Sequence, residues 1–289
     1  MKKSALLFII IAGVFWGTSG LFSSWLTPYG FTPVQMTTMR GTVSAVLMVI
    51  YILIKDPKLF RLPKKEILLV LGSGSSLFFT AFTYFMSIKA STVSTAVILM
   101  YTAPIFVLIY SVLFLGEKLN LIKGISIFLM IVGCALVSGI VGGMKFSPLG
   151  VIFGLAAGIG YSAYNIFAKV LSMHKVPTET ITGYSFLVMG AIGLFVCNPV
   201  GLVTIAAAKP LETIPLIIGI GVFTCILPYF LYNIGLREVP AGTATALGII
   251  EPLSATLLSV AFLGEQMTIP LGIGIVLILG AVFVLAEQK

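Results

Sequence analysis

TVSTAVILMYTAPIFVLIYSVLFLGE, residues 92–117, and PAGTATALGIIEPLSATLLSVAFLGE, residues 240–265, are two versions of one segment, 148 positions apart. That offset lays Phe114-Leu115-Gly116-Glu117 on Phe262-Leu263-Gly264-Glu265, Pro104 on Pro252, and Thr95-Ala96 on Thr243-Ala244. The register runs outward in both directions, with Tyr84 meeting Tyr232 and Gly124-Ile125 meeting Gly272-Ile273. Near the start of each half a slightly different offset pairs Ala12-Gly13 with Ala157-Gly158 and Trp16 with Tyr161. Self-similarity at a fixed offset marks a chain made of two copies of one structural unit.

Each version is mostly apolar for more than the roughly 20 residues that a helix needs to cross a bilayer. The whole chain follows suit. Of its 289 residues 59% are apolar and 9% charged, whereas soluble proteins average about 25% charged. A soluble fold of this size would have to leave much of that apolar surface in water, a cost that lipid removes. Thirty Gly and 14 Pro suit membrane helices better than soluble ones. The short-period alternation of a membrane barrel is absent.

Ten spans are expected: Ser4–Leu26, Pro33–Ile54, Glu66–Ile88, Thr92–Leu115, Leu121–Ser138, Pro148–Ser172, Thr178–Cys197, Glu212–Ile234, Ala241–Leu263 and Ile269–Ala286. The connections read as short and polar, with turn residues such as Thr27-Pro28-Tyr29-Gly30, Asp56-Pro57 and Asn198-Pro199. None has room for a soluble catalytic domain. Met1-Lys2-Lys3 followed by an apolar run resembles a signal peptide, but the run continues past Trp16 to Trp25 without a cleavage site and reads as an uncleaved first helix.

Lys and Arg set the orientation. With the N-terminus inside, Lys2, Lys3, Lys55, Lys58, Arg61, Lys64, Lys65, Lys118, Lys123, Lys169, Lys175, Arg237 and Lys289 are cytoplasmic, while Lys89, Lys145 and Lys209 are outside. Both termini are therefore expected in the cytoplasm. Residues 4–138 form a first five-helix repeat, 139–147 an extracytoplasmic linker, and 148–286 a second repeat. Because five is odd, the second copy enters the membrane from the opposite side. The expected fold is all-α, ten transmembrane helices as two inverted repeats. Such repeats can exchange conformations about a midplane site, which is a physical basis for alternating access.

Several other functions lose support. The net charge of +8 comes from loop residues and forms no stripe, so it reads as a topology signal and not as a nucleic-acid surface. Cys134, Cys197 and Cys225 lie in apolar runs without metal-ligand spacing and read as small buried hydrophobes. His174 stands alone in a short loop, which argues against a histidine-based metal or acid–base centre. No Gly-x-x-x-x-Gly-Lys-Ser/Thr loop is present to drive transport with ATP.

The paired Leu115-Gly116-Glu117 and Leu263-Gly264-Glu265 motifs, the prolines about a dozen residues before them (Pro104, Pro252), Arg40 in the second helix and the glycine-rich fifth and tenth helices resemble the EamA-type branch of the drug/metabolite transporter superfamily. The resemblance covers nearly the whole chain. It implies ten helices, no ATP hydrolysis, and a central cavity lined by helices one, three, four, six, eight and nine. The family is similar to a toolkit for moving many small metabolites, so substrate is left open.

Glu251 lies near the centre of helix nine beside Pro252, and its counterpart in the first copy is Ala103. An ionised acid at that depth costs about 2.5–3.5 kcal/mol on insertion scales and should face a cavity, be paired or be protonated. It is the candidate for proton coupling or cation contact; the alternative is a neutral Glu that braces a proline-broken helix. Arg40 could pair with an anionic substrate or with Glu251, or instead snorkel or cap carbonyls of a neighbouring helix. Tyr161, Tyr164 and Asn165 share a face of helix six, and Tyr229, Tyr232 and Asn233 repeat that spacing on helix eight. Faces of phenols and amides suit a wet cavity, with Trp16, Tyr84 and Tyr101 as first-half candidates; interfacial tyrosines are the alternative.

The remaining candidates are structural or gating residues. Gly13-x-x-x-Gly17 and Gly150-x-x-x-Gly154-x-x-x-Gly158 permit close helix approach, and could also serve as sliding surfaces. Pro104 and Pro252 weaken helices four and nine at matching points. Glu117 and Glu265 end those helices and are expected to order helix ends or loops. Partners are then a small-molecule substrate, the lipid bilayer and, as candidate coupling ion, the proton. No cofactor, metal, nucleic acid or oligomeric state is implied.

The expected function is a secondary active transporter of small organic metabolites, such as amino acids or related compounds, exporting them across the inner membrane. Multidrug or organic-cation export is the alternative. A membrane enzyme acting on lipid-linked substrates would need clustered acids, histidines or a nucleophile–base pair, and nine acids mostly in loops with one His do not supply them.

Overall fold

The computed structural model describes residues 3–103, 105–106, 120–137, 147–236 and 250–287, and these form helices and turns with no strand. The first rod is α1 (Lys3–Gly17) and α2 (Ser19–Leu26). It is interrupted at Thr18, where the Thr18 and Ser19 hydroxyls donate back to the carbonyls of Phe15 and Trp16, a local competition that distorts helices. A capping box starts α3 (Pro33–Lys55): Thr32 accepts from the Gln35 N–H while Gln35 accepts from the Thr32 N–H, with Pro33 at the first helical position. α4 spans Ile67–Ala90 and α5 Val93–Met100, the latter capped by Thr92. α5 ends where the Tyr101 N–H is shared between the Val97 and Ile98 carbonyls. The chain continues as α6 (Leu121–Val137), α7 (Pro148–Met173), α8 (Thr178–Val196), α9 (Pro199–Ala208), α10 (Pro210–Gly221), a π-helical turn at Val222–Ile226, α11 (Leu227–Leu236), α12 (Ile250–Leu263) and α13 (Ile269–Glu287).

Among the described residues six helical runs are long and apolar enough to cross a membrane: Ser4–Tyr29, Pro33–Lys55, Lys64–Ala90, Pro148–Ala168, Thr178–Val196 and Pro210–Tyr232. They coincide with expected spans one, two, three, six, seven and eight. α6 and α13 lie at spans five and ten. Spans four and nine run partly outside the described residues, as do Pro104, Glu117 and most of the 139–147 linker.

The molecule is inverted in polarity relative to a soluble protein. Phe195 and Leu211 are more than nine-tenths exposed, whereas Ser44, Ser73, Ser87, Thr37, Thr180 and Thr224 are fully buried. In lipid an apolar exterior carries no penalty, and buried hydroxyls join helices by bonding across seams. Ser73 and Ser185 pair at 2.8 Å between α4 and α8, and Ser87 donates to the Gly150 carbonyl at 2.7 Å between α4 and α7. Small residues allow this proximity. A Cβ on Gly193 would come within 2.7 Å of the Thr38 hydroxyl, and one on Gly41 within 3.0 Å of the Gly190 nitrogen, so α3 and α8 approach backbone to backbone.

Cross-chain contacts sort the turns into two ends. At one, Tyr29 bonds Glu212 at 2.6 Å, and Glu265 reaches Val93 and Ser94. At the other, Lys55 meets Glu179 at 2.6 Å, Tyr184 donates to the Phe60 carbonyl, and His174 meets Glu66. One connection differs from expectation. Residues 199–208 are not a short polar link but the apolar helix α9, because Asn198 accepts from the Gly201 N–H and Pro199 occupies the first helical position. Asn-Pro acts there as a helix start and not as a turn.

Candidate substrate site

The repeats meet at a carboxylate. Tyr101, just past α5 in the first half, donates from its hydroxyl to Oε2 of Glu251 on α12, in the second, at 2.8 Å. Both approaches are made possible by glycine. A Cβ on Gly13 would lie 3.3 Å from the Glu251 nitrogen, and one on Gly17 3.1 Å from its carbonyl oxygen, so α1 packs directly on the Glu251 backbone. On the other side a Cβ on Gly158 would lie 2.9 Å from the Thr102 hydroxyl oxygen and 3.2 Å from the Met100 carbonyl. Gly154 approaches Leu99 in the same way. Thus the glycine pairs of α1 and α7 bring α12 and the end of α5 to the same level.

Aromatic rings from several helices pack on one another. Tyr101 and Tyr161 have centroids 6.5 Å apart. Trp16 meets Tyr229 edge-on at 5.3 Å and Tyr232 at 5.4 Å, and Phe186 packs on the far side of Tyr229 at 5.5 Å. Edge and tilted geometries of this kind are the favoured ones for aromatic pairs. Tyr164 is buried on α7. Asn165 interacts with Tyr161 and is exposed, whereas Tyr84 is buried beside Phe85. The Asn233 side chain lies outside the described residues. Pro252, next to the acid, is buried.

Arg40 is not bonded to Glu251; its hydrogen bonds go elsewhere. Its Nε donates to Cys225 Sγ at 3.0 Å and its terminal NH2 nitrogen to the Thr224 carbonyl at 3.0 Å. Cys225 is buried, as the sequence implied, but it is also a hydrogen-bond acceptor for a cation. Residue type alone did not reveal this. Pro228, four residues after Thr224, was the available signal.

Glu265 has the densest set of contacts among the candidates. Its carboxylate accepts from the N–H groups of Val93 and Ser94 at 2.6 and 3.3 Å, and from the hydroxyls of Ser94 and Ser259 at 2.6 and 3.0 Å. The first N–H groups of a helix have no intrahelical acceptor, and an anion there is favoured by the helix dipole. Glu265 therefore ties the end of α12 to the start of α5. A second carboxylate escaped the sequence reading. Glu66 is 1% exposed and faces His174 Nδ1 at 2.8 Å, while its other oxygen has no hydrogen bond and lies 3.8 Å from Lys65 Nζ. It sits at a span boundary, where sequence suggests a solvated acid.

Among the described residues no cluster of His, Cys, Asp or Glu could hold a metal. What the site offers is one acid and one phenol donating to it, together with the packed rings of Trp16, Tyr229 and Tyr232 on α1 and α11.

The model of the EamA-like transporter family matches residues 3–139 and again 148–286. An uncharacterized transporter of Bacillus subtilis, YwfM, is 28% identical over 97% of this chain and 93% of its own length. An uncharacterized transporter of Clostridium kluyveri is 25% identical over 99% and 94%, and the uncharacterized inner membrane transporter YicL of Salmonella typhimurium 23% identical over 98% and 95%. A solved crystal structure superposes with a TM-score of 0.61 at 23% identity, over 98% of this chain and 96% of that one, so the two share a fold. These names point to transport and not to an enzyme. With the family model matched twice along the chain and many apolar helices, the chain belongs to the EamA-like transporter family.

Proposed function

We propose that the protein is a secondary active transporter that exports small organic metabolites, amino acids or related compounds, across the inner membrane by alternating access. In this reading ten helices cross the bilayer as two inverted five-helix repeats, with both termini in the cytoplasm. The observation that carries it is the Tyr101–Glu251 contact. An acid contributed by one repeat is held by a phenol from the other, and that phenol's ring lies 6.5 Å from the Tyr161 ring on α7. A site shared by the two halves changes access when the halves exchange conformations. The end closed by Glu265 is then the outer one, and this carboxylate is its clasp.

Protons are the coupling ion in this scheme, bound and released at Glu251. An acid in a bilayer interior resists ionising unless something compensates it, so proton occupancy and substrate occupancy oppose one another there. A second reading, export of organic cations, draws on the same rings, whose faces attract cations. The test is flux of amino acids, organic cations and carboxylates in reconstituted vesicles under an imposed pH gradient. Glu251→Gln should remove the gradient dependence while leaving expression intact. Unchanged proton dependence in that variant would overturn Glu251 as the coupling group, and no flux of any of the three classes would overturn the transport reading.

A further inference from the structure

The tenth and eleventh helices run through the π turn Val222–Ile226, in which the Leu227 N–H reaches back five residues to the Val222 carbonyl. Pro228 follows one residue later. It has no N–H, so the Thr224 carbonyl, four residues before it, lacks the donor that every ordinary helix supplies. Thr224 is fully buried. A buried carbonyl left without a partner is costly.

Helix α3 supplies what is missing. Arg40 donates to that carbonyl and to Cys225 Sγ. Ser44, four residues on and hence on the same face, donates to the Gly221 carbonyl at 3.5 Å. Between them Val43 packs so closely that a Cβ on Gly221 would lie 2.4 Å from its Cγ1. Three consecutive contacts therefore clamp the irregular turn to α3. Immediately beyond the turn lie Tyr229 and Tyr232, the rings that meet Trp16. A π turn inserts one residue into the helical phase, and π turns gather at functional sites. The direction in which both rings point follows from how this turn is held.

We propose that Arg40 is a positioning residue: it caps the carbonyl that Pro228 leaves free and so fixes the phase of the Tyr229–Tyr232 face against Trp16. Its guanidinium serves the scaffold, and its charge is used because a planar cation can satisfy a carbonyl and a thiol at once. The rival role, direct recognition of an anionic substrate, makes a different prediction about Pro228.

The experiment uses the full chain with Trp25→Phe, which leaves Trp16 as its one tryptophan, and reads Trp16 emission and the thermal unfolding midpoint. Neither readout depends on transport, so failure of this proposal and failure of the proposed function are separable. Arg40→Met should shift the Trp16 emission and lower the midpoint. Adding Pro228→Ala should restore both, because position 228 then donates an N–H to Thr224. Arg40→Lys should fall between, since one ammonium can replace one of two contacts. Where Arg40→Met does not fold, folding of the Arg40→Met, Pro228→Ala pair supports the proposal, and its failure overturns it. An unaltered Trp16 spectrum in Arg40→Met, or a double variant as impaired as the single one, also overturns it.

Discussion

Replacing Glu265 by Gln tests whether the contact between α12 and α5 holds one end of the transporter shut. The carboxylate accepts four hydrogen bonds, two from the first N–H groups of α5 and two from the Ser94 and Ser259 hydroxyls. Hydrogen bonds to a charged group contribute about 1.5–3 kcal/mol each, and bonds sharing one acceptor are not additive. An amide keeps a single acceptor oxygen and turns an NH2 toward donors. The variant therefore retains one or two weakened bonds. A loss of about 2–3 kcal/mol is expected, roughly a 30- to 150-fold rise in the opening equilibrium at 1.4 kcal/mol per decade. The Val93 and Ser94 amides report it directly, since they exchange with solvent only when the clasp is open. Hydrogen exchange of segment 91–100 in nanodiscs should accelerate by that factor in Glu265→Gln. Glu265→Asp should show a smaller rise, and segment 178–196 none. Acceleration below threefold in Glu265→Gln would refute the clasp, because the four contacts would then contribute little to closure.

Three further perturbations follow from the same geometry. Tyr101→Phe removes the donor to Glu251 and, at about 1–3 kcal/mol for an orphaned acceptor, should weaken vesicle transport by about 5- to 150-fold, measured as initial flux with unchanged protein levels. Gly17→Leu forces side-chain atoms where even a Cβ would be 2.8 Å from Ser254 Cβ and 2.9 Å from the Ala255 nitrogen; overpacking of about 1–3 kcal/mol should lower the unfolding midpoint, whereas Gly124→Ala, at an open helical position, should not lower it. His174→Ala strips the nearest partner from the buried Glu66 carboxylate and should lower stability by about 1–3 kcal/mol, with Glu66→Gln in the same chain recovering part of it in a thermal-shift assay.

How far the sequence was legible depended on the length over which each signal was written. Spans and repeats are carried by twenty or more residues at once, and their reading survives local exceptions. α9 is such an exception: its ten residues are too few to signal a span, and Asn198-Pro199 reads equally as a turn or a helix start until the backbone chooses. Glu251 was visible because an acid inside an apolar run is conspicuous. Its partner Tyr101 stood beside Trp16 and Tyr84 as a first-half candidate, and only packing could pair it with the acid. Arg40 illustrates the deeper difficulty. Its bonds go to a carbonyl and a thiol 184 and 185 residues away, and backbone acceptors carry no mark in a sequence. Pro228 does leave a trace, yet it says which carbonyl is free and not which side chain will find it.

The asymmetry at the centre has a physical reading. Repeat-related positions are equivalent in depth, so two identical copies would place either two acids or none at the meeting point. Two carboxylates there would repel in a medium of low dielectric, and each would need its own compensation. The chain instead keeps Glu251 opposite Ala103, and keeps Tyr101 where the second copy has Ile249. Donor and acceptor have been divided between the halves, and the 2.8 Å bond joins what divergence separated. Glycine contacts, by contrast, remain paired: Gly13 stands to Ile250 as Gly158 stands to Thr102, and residues 102 and 250 are themselves related by the offset of 148. Contacts that set how closely the helices approach are kept in duplicate, because both copies must pack and move alike. Under the proposed mechanism the group that meets the substrate has no such requirement, and one acid in the shared site would serve both orientations of the frame.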